Sequence, residues 1–259
     1  MLQLIDTHAH LDEIENLDVV LEQAKAAGVI AIIAVGQDAV SNTKTLEIAA
    51  RYPGFIYPAL GYHPWSIKEA EIKDNLDFIR TNISKAAAVG EVGLDYLKDL
   101  LKTVDKDLQK RVLLELLQIA KDNDKPALLH TRYAWQDAFD LVKRAGVNKA
   151  VFHWYTGTSS VLRDIIDSGY YISVTPAVEY HEEHRRAVKE TPLEQLLLET
   201  DSPVTYARGR EGEFIASPAD VARSLKGAAA LKGLSEDELA AKTTENAKKL
   251  LGITQIIQV

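Results

Sequence analysis

The chain has 259 residues, of which 46% are hydrophobic and 26% charged, an ordinary globular balance with enough apolar material for a sizeable core. A formal net charge of −8 excludes the global basic footprint of a protein that grips duplex DNA through many phosphates, although a local basic pocket is still allowed. The absence of cysteine removes disulfides, thiolate nucleophiles and cysteine zinc sites together, so any metal must be held by His, Asp and Glu.

The predicted elements alternate along the chain. Short apolar runs at residues 2–5, 29–35, 55–60, 86–89, 127–129, 150–152, 170–174 and 196–198 read as buried parallel strands, because they are nearly continuous rather than alternating. Amphipathic segments at 17–27, 42–51, 74–83, 105–122, 135–144 and 161–167 read as the helices between them, and Gly28, Gly146 and Gly169 fit helix C-caps. Two further helices are expected at 218–231 and 236–251, the second opened by the capping box Ser235-Glu236-Asp237-Glu238. The apolar tail 253–259 has no assigned element and is expected to pack on the barrel or on a second subunit.

Strand–helix alternation implies a parallel sheet with right-handed crossovers. About eight repeats over about 250 residues favour an α/β fold of the TIM-type (β/α)8 kind, with residues 1–259 forming a single domain. An open doubly wound sheet is the runner-up, weakened because no Gly-x-Gly-x-x-Gly follows the first strand. The first apolar run is short and already carries Asp6 and two histidines, unlike a secretory signal. No run approaches the roughly 20 apolar residues of a membrane span, so the expected location is cytoplasmic.

The polar residues cluster where the apolar runs end. The first run ends in Asp6-Thr7-His8-Ala9-His10, and residues two apart on a strand share a face, so His8 and His10 can both reach one metal ion. Later runs end in Gly61-Tyr62-His63-Pro64-Trp65, Gly90-Glu91-Val92-Gly93-Leu94-Asp95, His130-Thr131-Arg132, His153-Trp154-Tyr155-Thr156-Gly157 and Glu199-Thr200-Asp201-Ser202-Pro203. In a barrel of this kind all these positions meet at one mouth. Unpaired polar groups are costly there, and metal coordination removes the cost. His181 and His184, in the charged segment 180–186, read instead as a solvated helix face and lack the His-Glu-x-x-His spacing of zinc proteases.

In order and spacing, these motifs resemble those of the TatD family of metal-dependent hydrolases, part of the amidohydrolase superfamily, from residue 4 to about residue 251. The resemblance implies a TIM-type barrel with one or two divalent ions, and the donor types do not choose among Mg, Mn, Zn, Co and Ni. It implies that His8, His10 and Asp201 bind one metal, that Glu91 bridges both, and that His130 and His153 complete the second. Members include magnesium-dependent deoxyribonucleases with exonuclease activity. This sequence departs from the bacterial pattern after Asp201-Ser202-Pro203, where residues 204–213 replace a Gly-Lys-Arg-Asn-like segment and Ser217-Pro218 replaces Glu-Pro. The aromatic pair usual after Gly-Leu-Asp is reduced to Tyr96-Leu97. Such loops carry substrate contacts, so the departures bear on substrate rather than on metal.

The expected chemistry is hydrolysis by a metal-activated water, with Glu91 offering one oxygen to each ion and Asp201 taking the water's proton. His63 reads as a substrate contact or as a loop-ordering hydrogen bond, and Asp95 as a carboxylate that orients a ligand histidine. Arg132 could grip a phosphate, whereas Arg208 and Arg210 read equally well as solvated loop. Trp65, Trp154 and Tyr155 could stack on a base or simply pack the pocket. The expected partner is a DNA end or a small phosphodiester, with no membrane and an open oligomeric state. An amide, lactone or acyl-ester hydrolase would need the same activated water. A non-enzymatic barrel is disfavoured by the intact donor set.

Overall fold

In the computed structural model, which describes residues 2–253, eight strands pair in chain order through parallel ladders. They are β1 (Leu4–Ala9), β2 (Val29–Val35), β3 (Ile56–Leu60), β4 (Ala88–Asp95), β5 (Ala127–Arg132), β6 (Ala150–Phe152), β7 (Tyr171–Val174) and β8 (Leu196–Leu198). A parallel bridge between Ala9 and Ser202, with His10 N donating to Ser202 O at 2.8 Å, joins the first strand to the segment just past the last and closes the barrel. Helices α1 (Leu17–Ala26), α2 (Ala39–Arg51), α3 (Ile72–Asn82), α4 (Lys106–Asp122), α5 (Trp135–Ala145), α6 (Ser159–Asp167) and α7 (Glu182–Glu190) fill the crossovers, and α8 (Val221–Lys232) and α9 (Glu236–Leu251) follow the last strand. Local signals set the helix ends: Asp38 and Ser41 form a capping box on α2, Ser235 and Glu238 form the one expected on α9, and Gly146 stops α5 at φ 69°.

The strands bury two faces. Outward residues such as Ile32, Ala34, Leu60 and Leu129 pack into the helical ring. Inward residues Ile5, Ala31, Ile33, Val35, Ala59, Ala88, Leu128, Val151 and Leu197 form the barrel interior together with Ala247, Leu250, Leu251 and Ile253. The end of α9 therefore plugs the barrel where the strands begin, and each leucine buried there contributes roughly 1.5–3 kcal/mol. Asn246 fastens the plug by donating to the carbonyls of Leu193 and Leu196. The opposite end stays open for polar groups. Of the apolar tail, Ile253 is in the interior cluster, and residues 254–259 lie outside the described residues.

Three strands run farther than their apolar runs. β1, β4 and β5 continue through the polar motifs, because ladder pairs such as Gly93 with His130 and Asp95 with Arg132 extend the sheet beyond the hydrophobic core. Two of these strands also carry register shifts, between Asp6 and Ala9 in β1 and between Val89 and Val92 in β4. Ile5 points inward, so strict alternation would send His8 outward; likewise Ala88 points inward, and alternation would send Glu91 outward. Each irregularity reverses the parity, as bulges do, and both side chains turn into the mouth.

Two features differ from the sequence reading. The segment after Pro203 forms a small antiparallel hairpin, β9 (Thr205–Tyr206) with β10 (Phe214–Ile215), rather than a plain loop. Buried Tyr206 anchors it by donating its hydroxyl to Thr200 O at 2.7 Å. His184 is not on a solvated face. It is fully buried on α7, donates from Nδ1 to Tyr155 O at 3.0 Å and accepts at Nε2 from Thr175 N at 3.1 Å. Only His181, the N-cap of that helix, is partly exposed.

Candidate metal centre

Glu91 is the hub. Its carboxylate, buried at the end of the barrel, lies 3.0 Å from His130 Nδ1, 2.9 Å from His153 Nε2, 3.4 Å from His10 Nε2, 3.5 Å from His8 Nε2 and 3.6 Å from His63 Nε2. Asp201 Oδ1 stands opposite, 3.3 Å from His10 Nε2 and 3.6 Å from His8 Nε2. The structure thus brings together His8, His10, Glu91, His130, His153 and Asp201 from five strand ends. Donor atoms of His8, His10 and Glu91, of His8, His153 and Asp201, and of His63, Glu91 and His130 fall within 4.8 Å of one another.

The outer ring nitrogens decide which histidines are free to ligate. His130 points Nδ1 at Glu91 and hands Nε2 to Asp95 Oδ2 at 3.0 Å, so Asp95 orients it as expected. Trp65 Nε1 donates to the same Asp95 oxygen at 2.7 Å. His63 differs: its Nδ1 accepts the backbone N–H of Trp65 at 3.2 Å. A neutral imidazole then carries its proton on Nε2, which makes that atom a donor into the mouth rather than a ligand. His10 Nδ1 faces the Gln37 side-chain amide at 2.9 Å. The same Gln37 nitrogen donates to Glu13 Oε1 at 3.3 Å, so a rotated amide, whose oxygen would accept His10 Nδ1–H and leave Nε2 free, requires Glu13 to swing away.

Charge balance in the site follows from burial and the carboxylates. Burial opposes ionisation of Glu91, yet His63, His8, His153 and the bonded His130 hold it well below the usual carboxylate range. Burial likewise opposes ionisation of Asp201, and His10, His8 and His153 override it and hold Asp201 low. The histidines answer in the opposite sense. Burial would lower His10, but Asp201 and Glu91 push it up to about 9. His153 is raised well above its ordinary value, against burial, by Glu91 and Glu199. His63 is pulled down to about 3, chiefly by burial. The carboxylates therefore stay ionised and draw protons onto the surrounding rings, which is the demand a divalent cation satisfies.

The residues fit a metal. Both ring nitrogens of His8 are buried without a hydrogen-bond partner, a costly state that Nε2 coordination relieves. The donors are imidazole nitrogens and carboxylate oxygens, suited to borderline or hard divalent ions. Backbone strain marks the same rim: Tyr133, Trp154 and Asp201, all non-glycine residues just past strand ends, have φ of 57°, 41° and 50°. Such conformations cost of order 1–3 kcal/mol each and concentrate at functional sites.

A cleft of about 270 Å³ opens over the centre, lined by His10, Glu13, Gln37, His63, Trp65, Glu91, His130, Asp201, Pro203 and Val204. Of the expected substrate contacts, His63 and Trp65 line it, and Trp65 is 54% exposed. Arg132 is exposed beside Tyr133 and is absent from the lining. Tyr155 is a correction: it is fully buried, its hydroxyl donates to Thr158 O at 2.9 Å, and it packs against Trp135 as wall. Arg208 and Arg210 are exposed on the hairpin loop. Sequence reasoning missed Glu13 and Gln37, which reach the mouth from loops after β1 and β2 and carry no periodic signal. It also missed Glu199, which shares the inward face of Leu197 and Asp201 and could have been found by that alternation.

Comparison with known proteins agrees with this geometry. The family described as TatD related DNase matches residues 5–252. Deoxyribonuclease TATDN3 of Homo sapiens is 34% identical over 260 residues, spanning 95% of this chain and 94% of that protein. YabD of Bacillus subtilis (strain 168), described as a metal-dependent hydrolase, is 34% identical over 262 residues, spanning 96% and 99%. The crystal structure of YJJV, a TatD homologue from Escherichia coli K12, superposes with a TM-score of 0.85 at 28% identity, covering 95% and 97% of the two chains.

Proposed function

We propose that this chain, which belongs to the family of TatD-related DNases, is a divalent-metal-dependent phosphodiesterase acting on DNA ends or small nucleotidic substrates. One observation carries the reading: five histidines converge on the buried Glu91 with Asp201 opposite, at the open end of a closed barrel. His8, His10 and Asp201 would hold one ion, His130 and His153 a second, and Glu91 both. Such ions, when bound, acidify a water and polarise the scissile phosphoryl group. The chain's own residues do the rest. Asp201 stays ionised and lines the cleft, so a carboxylate oxygen takes the proton of the attacking water and delivers it to the leaving oxygen as the phosphorus–oxygen bond breaks. His63 presents Nε2–H to a phosphoryl oxygen. Trp65 offers its exposed face to the adjoining base. No Lys or Arg is among the lining residues, so recognition of the phosphate falls to His63 and the metal positions.

The test is hydrolysis of a single-stranded oligonucleotide by metal-stripped protein supplied with Mg or Mn, beside Asp201→Asn. Metal-dependent cleavage by wild type alone supports the reading. Wild type as inactive as the variant with every metal overturns it, and cleavage of a lactone or N-acyl amide instead would move the protein to another hydrolase class.

A further inference from the structure

We infer that Glu199 is the shared hydrogen-bond anchor of His8 and His153, and that it ties the two metal positions into one unit. The inference rests on the metal-dependent reading above. Leu197, Glu199 and Asp201 alternate on the inward face at the end of β8, and Glu199 is fully buried. Its Oε1 accepts the backbone N–H of Trp154 at 3.0 Å, which sets the carboxylate plane. From there Oε1 lies 3.5 Å from His153 Nδ1, and Oε2 lies 3.9 Å from His8 Nδ1.

The two imidazoles are stacked, with centroids 4.2 Å apart and planes 13° from parallel. They present Nδ1 to one carboxylate and Nε2 to Glu91 and Asp201. Neither Nδ1 has another hydrogen-bond partner, and neither does Glu199 Oε2. Among the described residues Glu199 pairs with these histidines and with no Lys or Arg. A histidine that ligates through Nε2 carries its proton on Nδ1, and Glu199 is the acceptor within reach of both. The gaps exceed a formed charge-assisted bond by roughly 1 Å or less, so a small ring movement closes each. In the proposed ligand set His8 serves one ion and His153 the other. Binding at either position therefore draws on the same carboxylate.

Glu199→Gln separates this role from a structural one. A glutamine oxygen still accepts from Trp154, whereas its NH2 group meets His8 Nδ1–H donor to donor. The experiment is calorimetric titration of metal-stripped protein with Mn2+, with the Tm of the metal-free proteins as control. The expected result is an unchanged metal-free Tm, a loss of affinity of about 10–100-fold at the His8 position, and a smaller loss at the His153 position, where the amide oxygen still accepts from Nδ1 without a full charge. Glu199→Asp keeps the charge and falls between. Unchanged affinity in Glu199→Gln overturns the inference. Loss at one position only, or a single binding event in wild type, overturns the shared role. Should Glu199→Gln fail to fold, wild-type affinity in Glu199→Asp, whose carboxylate is one methylene too short, overturns it as well. Wild type that binds no divalent ion overturns the metal reading itself, an outcome distinct from all of these.

Discussion

Adding one methyl group at Gly61 should disable the centre from a neighbouring strand. Gly61 lies just past β3, two residues before His63. A Cβ there would sit far inside contact distance of Glu91 O and Glu91 N, and 2.5 Å from the carbonyl carbon of Gly90, where ordinary contacts are 3.4–4 Å. All three are backbone atoms, so no flexible side chain can swing away. Relief needs β3 and β4 to part by about 1 Å at Glu91, and overpacking of this kind costs typically 1–3 kcal/mol. Asn42 resists the movement, since its side chain donates to Gly61 O at 2.8 Å and accepts from Gly61 N at 3.0 Å. A cost of about 2–3 kcal/mol corresponds to a Tm lower by about 4–12 °C in a domain of this size. The functional loss is larger in proportion. Glu91 lies 2.9–3.6 Å from five imidazoles, and a shift of about 1 Å exceeds the roughly 0.5 Å tolerance of a working site. Gly61→Ala is therefore expected to lose at least about 10-fold in Mn2+ affinity. Thermal denaturation and metal titration check this, with Gly209→Ala as control. A Cβ at Gly209 meets nothing within 4 Å, and its positive φ costs only about 1–2 kcal/mol. Wild-type Tm and Mn2+ affinity in Gly61→Ala would refute the reasoning.

Asp201→Asn should keep the fold, as judged by circular dichroism, and lower kcat on a single-stranded oligonucleotide about 10²–10⁴-fold, because the proton acceptor is lost. Trp65→Ala should raise KM for DNA ends about 5–150-fold, from about 1–3 kcal/mol of lost stacking; an unchanged KM removes the stacking role. Acid stability should follow His184. Burial pulls its folded value down to about 4 from 6.5, so the stability it contributes is complete above about 6.5 and is lost as pH falls toward 4. The loss is about 3 kcal/mol. Urea denaturation at pH 7 and 4.5 checks it, because His184→Gln should lose less on acidification than wild type.

Much of the fold and half of the centre are legible along the chain. Continuous apolar runs alternating with capped helices specify a parallel barrel, since only such a sheet buries both faces of its strands. On β5, β6 and β8 plain alternation carries inward side chains to the mouth: Leu128 leads to His130, Val151 to His153, and Leu197 to Glu199 and Asp201. These positions follow from the two-residue period alone. His8 and Glu91 do not. Their parity is reversed by register shifts whose cause is how β1 and β4 pair with their neighbours, and pairing is a property of two strands together. The same holds for Gln37 and Glu13, brought to the mouth by loops, and for Tyr155 and His184, which bond each other away from solvent where the sequence suggested a rim and a wet helix face. Apolar periodicity and motif order along the chain are enough to specify the barrel, the donor types and their placement at one end. What each outer ring nitrogen meets is visible only across the barrel, because the partners come from other strands and loops: Asp95 for His130, a backbone amide for His63, and the buried Glu199 carboxylate nearest His8 and His153.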